Sequence, residues 1–220
     1  MARIALSNDE RESRRQVLLV AAHRLYRERG ALPPVADIAS AAGLAKGTVY
    51  LYFKTKEEIF VALLEDGFAQ LFAALGPLLD SLPRGGPAVA DAFAAGFGGL
   101  IAGSGDLLPL AALTNAILEQ NLPVEPMRRF KTVLAQGIAA AGTRLEAHTG
   151  LTPPGSGETL LLRTYALTLG LWQALSYPAA LKSLLQEPGL RGLDRDFGTE
   201  LQGAIAALWR GHFGNTSLSR

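Results

Sequence analysis

Apolar residues recur every three or four positions along most of the chain, and no run of alternating β-branched residues bounded by turn signals breaks that rhythm. The pattern predicts an all-α fold. Val17, Leu18, Ala21 and Leu25 share one face of a first helix that Gly30 ends, and Ser7 with Glu10 has capping-box spacing at its start. Pro33 and Pro34 close the loop that follows. A short helix is expected from about Val35 to Ala42, then a turn at Gly43, then a second short helix to about Phe53. Thr55 and Glu58 repeat the capping-box spacing. They open a long helix with a stripe of Ile59, Phe60, Leu63, Leu64, Phe68, Leu71, Phe72 and Leu75.

Breaks at Pro83 to Pro87, Gly103 to Gly105, Pro123 and Pro126, Pro153 to Gly157, and Pro188 to Gly192 divide the remainder into about five helices. The last, from about Asp194 to His212, carries Phe197, Leu201, Ile205 and Leu208 at helical spacing, with Trp209 beside them. No charged residue occurs between Thr164 and Leu181, a stretch near the roughly 18 residues at which a membrane span becomes a candidate. Thr164, Thr168, Gln173 and Ser176 are spread along it, Pro178 interrupts it, and Arg163 and Lys182 bracket it. The expectation is therefore a helix covered by its own domain and by a second subunit, with no membrane.

Composition changes this picture little. At 220 residues, 49% hydrophobic and 19% charged, the chain has ordinary globular usage and is long enough for one large domain or two small ones. A net charge of +1 hides an asymmetry, because ten Lys and Arg face seven Asp and Glu up to Phe60, and eleven face thirteen beyond it. The mildly basic end suits a polyanion, although a solvated helix face carries the same bias. With no cysteine, the chain has no disulfide, thiolate nucleophile or cysteine metal ligand. The first twenty residues include Arg11, Glu12, Arg14 and Arg15 and lack the apolar stretch of a secretory signal, so a cytoplasmic protein is expected.

The segment from Val35 to Tyr52 fits a helix-turn-helix position by position. Ile38 points into a small core, Ala39 is small where two helices must pack closely, and Gly43 takes a turn where positive φ is easy for glycine. Leu44 plugs the base of the turn and Val49 returns to the core, which leaves Lys46, Gly47, Thr48, Tyr50 and Leu51 to face outward. A helix start with short polar side chains is what a major groove admits.

Ile38-Ala39, Ala42-Gly43, Gly47-Thr48-Val49-Tyr50, Tyr52-Phe53 and Lys56-Glu57-Glu58-Ile59-Phe60 together resemble the TetR family signature. The close resemblance covers roughly residues 10 to 65, and beyond it only the helical pattern and total length are similar. It implies an N-terminal three-helix helix-turn-helix DNA-binding domain, 1-55, and a C-terminal helical bundle for effector binding and dimerisation, 56-220. Carried over residue by residue, it puts Lys46, Gly47, Thr48, Tyr50 and Leu51 in one major groove of a double-stranded DNA operator. Tyr52 and Lys56 then meet phosphate. Tyr52 serves equally well as a core aromatic, and Arg11, Arg14 and Arg15 either reach flanking phosphate or form a solvated face. The sequence departs from the family pattern at Val35, Ala36 and Ala45, where a Thr or Ser cap, a polar or basic residue, and a Ser are common.

The resemblance further implies a homodimer on a palindromic operator, with half-sites about 34 Å apart. It implies a regulator, in the usual case a repressor, released by a small, mainly apolar effector. Phe93, Phe97, Leu113, Ile117 and Trp172 are candidates for the effector pocket, with Asn115 or Gln173 as polar anchors; Tyr165, Leu169, Phe197 and Leu201 are candidates for the dimer interface. Each aromatic among them has core packing as its plain alternative. His23, His148 and His212 are all the histidines and have no acidic partner at metal-ligand spacing, so neither an enzyme, a metal nor a cofactor is expected. The rival function is a helical small-molecule-binding module that has lost sequence-specific DNA binding, conceivable from Val35, Ala36 and Ala45.

Overall fold

The structure, a computed structural model, describes residues 8–114 and 118–213. Among these residues eleven α-helices and no strand occur: α1 (Asn8–Arg29), α2 (Val35–Ala41), α3 (Lys46–Val49), α4 (Lys56–Asp80), α5 (Ala88–Gly103), α6 (Leu107–Ala112), α7 (Glu119–Asn121), α8 (Val124–Thr149), α9 (Ser156–Leu175), α10 (Ala179–Lys182) and α11 (Phe197–Phe213). The all-α expectation holds. Ser7, half of the first expected capping box, lies outside the described residues.

By Cα proximity the chain divides into two units, one of Met1–Asp66 with Leu113–Lys131 and one of Gly67–Ala112 with Thr132–Arg220. The division falls within α4, whose first turns help to build the first unit: Ile59, Phe60 and Leu64 are fully buried, and Phe60 meets the Tyr26 ring at 5.9 Å. On α1 the buried positions are Leu18, Leu19, Ala21, Ala22, Leu25 and Tyr26. Val17, expected on that face, is exposed, since it sits one position off the 18–22–25 stripe.

In the second unit a continuous core runs through Leu75, Leu79, Phe93, Phe97, Ile138, Leu145, Leu160, Leu201, Ile205 and Trp209. Trp209 of α11 stacks on Phe93 of α5 with ring centroids 3.5 Å apart, and Arg210 reaches Asp91 on the same two helices at 2.5 Å. Helices α9 and α11 run antiparallel: Thr164 bonds Trp209 at one level, and Trp172 meets Phe197 edge-on at 5.2 Å at the other. Where α8 meets α9, Gly142 and Gly157 let the backbones touch, since a Cβ on Gly157 would lie 2.4 Å from the Gly142 carbonyl oxygen. Arg144 of α8 pairs with Asp80 near the end of α4 through Nε and Oδ1 at 2.6 Å, and its guanidinium holds the Asp80 carboxyl below its ordinary range.

The uncharged stretch from Thr164 to Leu181 is not one helix, because α9 ends at Leu175. The one described helix long and apolar enough to cross a membrane is α4. Its hydropathy is accounted for within the chain, where Ile59, Phe60, Leu64, Phe68, Leu75 and Leu79 are buried.

Candidate nucleic-acid interface and effector cavity

The turn between α2 and α3 is a Schellman closure. Gly43 has φ of +67°, its N–H donates to the Ser40 carbonyl at 3.1 Å, and the Leu44 N–H donates to the Ala39 carbonyl at 2.9 Å. Only a residue at ease with positive φ lets the chain reverse here, and that reversal aims α3 outward. Helix α3 is regular over only four residues, shorter than expected, but i to i+3 and i to i+4 bonds carry the turn on to Phe53. Val49 is fully buried and anchors it.

From that anchor Lys46, Gly47, Tyr50 and Leu51 are exposed and Thr48 is half-buried. Tyr50 at 46% and Leu51 at 56% exposure are apolar bodies left outside the core. A Cβ at Gly47 would meet nothing within 4 Å, so the backbone is open to a close approach from outside. Ala45 supplies no side-chain cap to α3.

Helix α4 is capped as its spacing predicts, with a one-residue offset. The Glu58 N–H donates to Thr55 Oγ1 at 3.3 Å, and the Glu58 carboxylate accepts the Lys54 N–H at 2.8 Å. The cap fixes the direction of the first turn, where Lys56 stays partly exposed, 3.9 Å from Glu57. An open recess joins Tyr52 and Leu51 to Asn8, Arg11, Glu12 and Arg15 of α1. Arg15 stands 5.6 Å over the Phe53 ring and 3.3 Å from Glu12, so packing orients it beside Tyr52. The grouping of Arg11 and Arg15 with Tyr52 comes from the tertiary contact of α1 with residues that follow α3, as where Arg15 overlies Phe53, and no spacing in the sequence shows it.

Deeper in the first unit, Glu65 of α4 is half-buried and its Oε1 has no hydrogen-bond partner. Burial pushes its carboxyl above the ordinary range, with Arg129 and Arg15 pulling the other way.

The second unit holds a narrow cavity of about 40 Å³, lined by Phe68, Leu71, Phe72 and Leu75 of α4, Phe97 and Ile101 of α5, and Leu107 and Leu108 of α6. Leu134 and Ile138 of α8 and Leu161, Thr164, Tyr165 and Thr168 of α9 complete the lining. No charged side chain lines it. The two threonine hydroxyls are turned into helix bonds, Thr164 Oγ1 donating to the Leu160 carbonyl at 2.8 Å and Thr168 Oγ1 to the Thr164 carbonyl at 2.7 Å.

Of the residues singled out for an effector, the structure places Phe97 on this cavity. Phe93 is fully buried behind it against Trp209, Trp172 packs on Phe197, and Gln173 is exposed. Leu113 is half-buried in the first unit, and Asn115 and Ile117 lie outside the described residues. Phe68, Leu71, Phe72 and Leu75 of the lining were legible only as the apolar stripe of the fourth helix. Of the residues singled out for dimerisation, Tyr165 turns into the cavity and meets Phe68 edge-on at 5.8 Å, and Leu201 is 1% exposed in the core. Leu169 and Phe197 are half-buried. The outward face of α9 carries Leu162, Ala166, Gly170 and Ala174, and that of α11 carries Gly203, Ala207 and Gly211.

Residues 18–63 match the family model described as bacterial regulatory proteins, tetR family, and residues 62–214 match that of the tetracyclin repressor-like C-terminal domain. An uncharacterized HTH-type transcriptional regulator, YfiR of Bacillus subtilis, is 27% identical over 103 residues, covering 40% of this chain and 50% of that protein. The HTH-type transcriptional repressor KstR2 of Mycolicibacterium smegmatis is 37% identical over 70 residues, covering 31% and 34%. The chain thus spans half or less of the length of these curated relatives. The crystal structure of Thermus thermophilus FadR, a TetR-family repressor in complex with lauroyl-CoA, superposes with a TM-score of 0.59 at 22% identity, covering 90% of this chain and 94% of that one. With family models matching on both sides of the boundary within α4, the chain belongs to the TetR family of bacterial regulatory proteins.

Proposed function

We propose that this protein is a cytoplasmic, ligand-responsive transcriptional repressor that binds a palindromic operator as a homodimer and is released by a small, mainly apolar effector. The observation that carries the reading is the outward face of α3, where Lys46, Gly47, Tyr50 and Leu51, with the half-buried Thr48 among them, stand clear of a core that Val49 and Phe53 anchor. Tyr52, Lys56, Arg11 and Arg15 flank that face as phosphate-binding groups. The domain reading is an N-terminal head through residue 55 and an effector and dimer body from 56 onward.

The effector enters the cavity lined by Phe68, Phe72, Phe97 and Tyr165. At about 40 Å³ the cavity is far smaller than the roughly 300–1,000 Å³ of an occupied ligand site, so an effector must push its walls apart. Since α4 forms one wall and also carries Lys56 and the capping box, a ligand that prefers the opened form disfavours the DNA-bound arrangement of α4. A lining without charge suits an alkyl chain, the class represented by lauroyl-CoA in the Thermus protein. Two subunits pair through the small-residue faces of α9 and α11 rather than through the inward Tyr165 and Leu201.

The test is selection of bound duplexes from a random DNA pool at near-physiological salt, repeated with Tyr50→Ala and with added lauroyl-CoA. An enriched inverted repeat, lost in the variant and displaced by the acyl compound, is the expected result. No enriched sequence would overturn the reading and favour a binding module that acts without DNA. An enriched repeat indifferent to lauroyl-CoA would overturn only the effector class.

A further inference from the structure

Between α9 and α11 the chain makes an excursion, residues 176–196, far longer than the 2–8 residues usual between packed helices. It is not slack. α10 and two 3-10 turns, Leu184–Gln186 and Arg191–Leu193, give it regular structure, and several of its polar side chains are paired. Gln186 donates to Asp194 at 2.6 Å, Arg191 Nε donates to the Gln186 carbonyl at 3.2 Å, and Arg195 pairs with Glu200 at 3.3 Å. Leu185 is its single buried residue, whereas Leu181 and Leu184 are each 44% exposed and Leu193 is 51% exposed. Trp172 and Phe197 pack edge-on where the excursion leaves α9 and rejoins α11, so it projects from a fixed base.

We infer that this excursion is a dimerisation arm whose leucines dock on a second copy of this chain, an inference that rests on the dimer reading above. The occupant follows from area. A stable pairing buries about 800 Å² on each partner. The outward faces of α9 and α11 offer Leu162 but otherwise mainly Ala166, Gly170, Ala174, Gly203 and Ala207, small side chains that allow close backbone approach yet bring little apolar surface. A Cβ at Gly170, Gly203 or Gly211 would meet nothing within 4 Å, so none of the described residues fills the space over these glycines. The arm starts and ends on the same two helices and carries the large apolar side chains that the face lacks. With Gln186, Arg191, Asp194 and Arg195 already paired, it presents leucine to whatever covers that face.

The test compares the monomer–dimer constant of the full chain with that of Leu181→Ser, Leu184→Ser and Leu193→Ser, singly and combined, by sedimentation, with circular dichroism to confirm helicity. A folded combined variant with dimer affinity weakened at least about ten-fold is the expected result. Gly170→Leu, which puts bulk on the small-residue face, should weaken pairing independently of the arm. A wild-type dimer with the same affinity in every arm variant overturns the arm, leaves the dimer reading standing, and assigns the leucines to solvent or to another protein. A wild-type chain that stays monomeric overturns both.

Discussion

The indole N–H of Trp209 donates to the hydroxyl of Thr164 at 2.9 Å, joining α11 to α9 inside the core of the second unit. That hydroxyl also donates to the Leu160 carbonyl, so although Thr164 lines the cavity its polar atom is already committed. Thr164→Val should cost about 1–3 kcal/mol by stranding the Trp209 donor, and Thr164→Ser should cost less. Chemical denaturation checks this. Equal losses for the two variants would show that the hydroxyl bond contributes nothing.

Tyr50→Ala should leave thermal stability nearly unchanged, because the side chain is 46% exposed and lies outside the core. Its operator affinity should fall about ten-fold or more at fixed salt, the loss expected when a groove contact is removed. Lys56→Ala should instead weaken binding across sequences and lower the salt dependence. Titration of labelled duplex at several salt concentrations separates the two patterns.

A Cβ on Gly137 of α8 would lie 2.2 Å from the Phe72 ring, which is part of the cavity wall. Gly137→Ala should therefore push Phe72 inward and lower effector affinity without touching the lining directly. A titration of alkyl ligands of increasing length reads the effect. Unchanged affinity for every length would mean that Phe72 moves away from the cavity.

At the α8–α9 crossing a Cβ on Gly142 would lie 2.5 Å from the Glu158 backbone nitrogen, and backbone has no side-chain torsion by which to yield. Gly142→Val should destabilise by about 1–3 kcal/mol or more. Substitution at Gly170, where a Cβ meets nothing within 4 Å, should spare the monomer fold. Paired urea melts of the two variants make the comparison.

The raised carboxyl of Glu65 has a defined sign. Its folded form holds its proton more tightly than the unfolded chain does, so stability is lost as pH rises from the ordinary glutamate range through the raised value. Glu65→Gln should raise the melting temperature at neutral pH and flatten that part of the pH profile. Asp80, lowered by Arg144, acts oppositely and loses its contribution as pH falls below the ordinary aspartate range. An unchanged profile in Glu65→Gln would show that Arg129 and Arg15 fully offset burial.

The sequence by itself determined the helical class, the turn at Gly43, the outward residues of α3 and the capping of α4. These are set within a few neighbouring residues, by φ preference, hydrogen-bond spacing and the 3.6-residue repeat. The apolar faces of α4, α9 and α11 were also legible, but not what each would cover. A helix that is apolar on most sides has no periodicity to tell cavity wall from core or from subunit surface. Only the packing of α4, α5, α8 and α9 turned Tyr165 into the cavity, sent Phe93 and Leu201 into the core, and left Leu162, Ala166 and Gly170 outside. Those assignments depend on contacts between residues tens of positions apart, as between Thr164 and Trp209, and short-range pattern carries no record of which partner fills a given face.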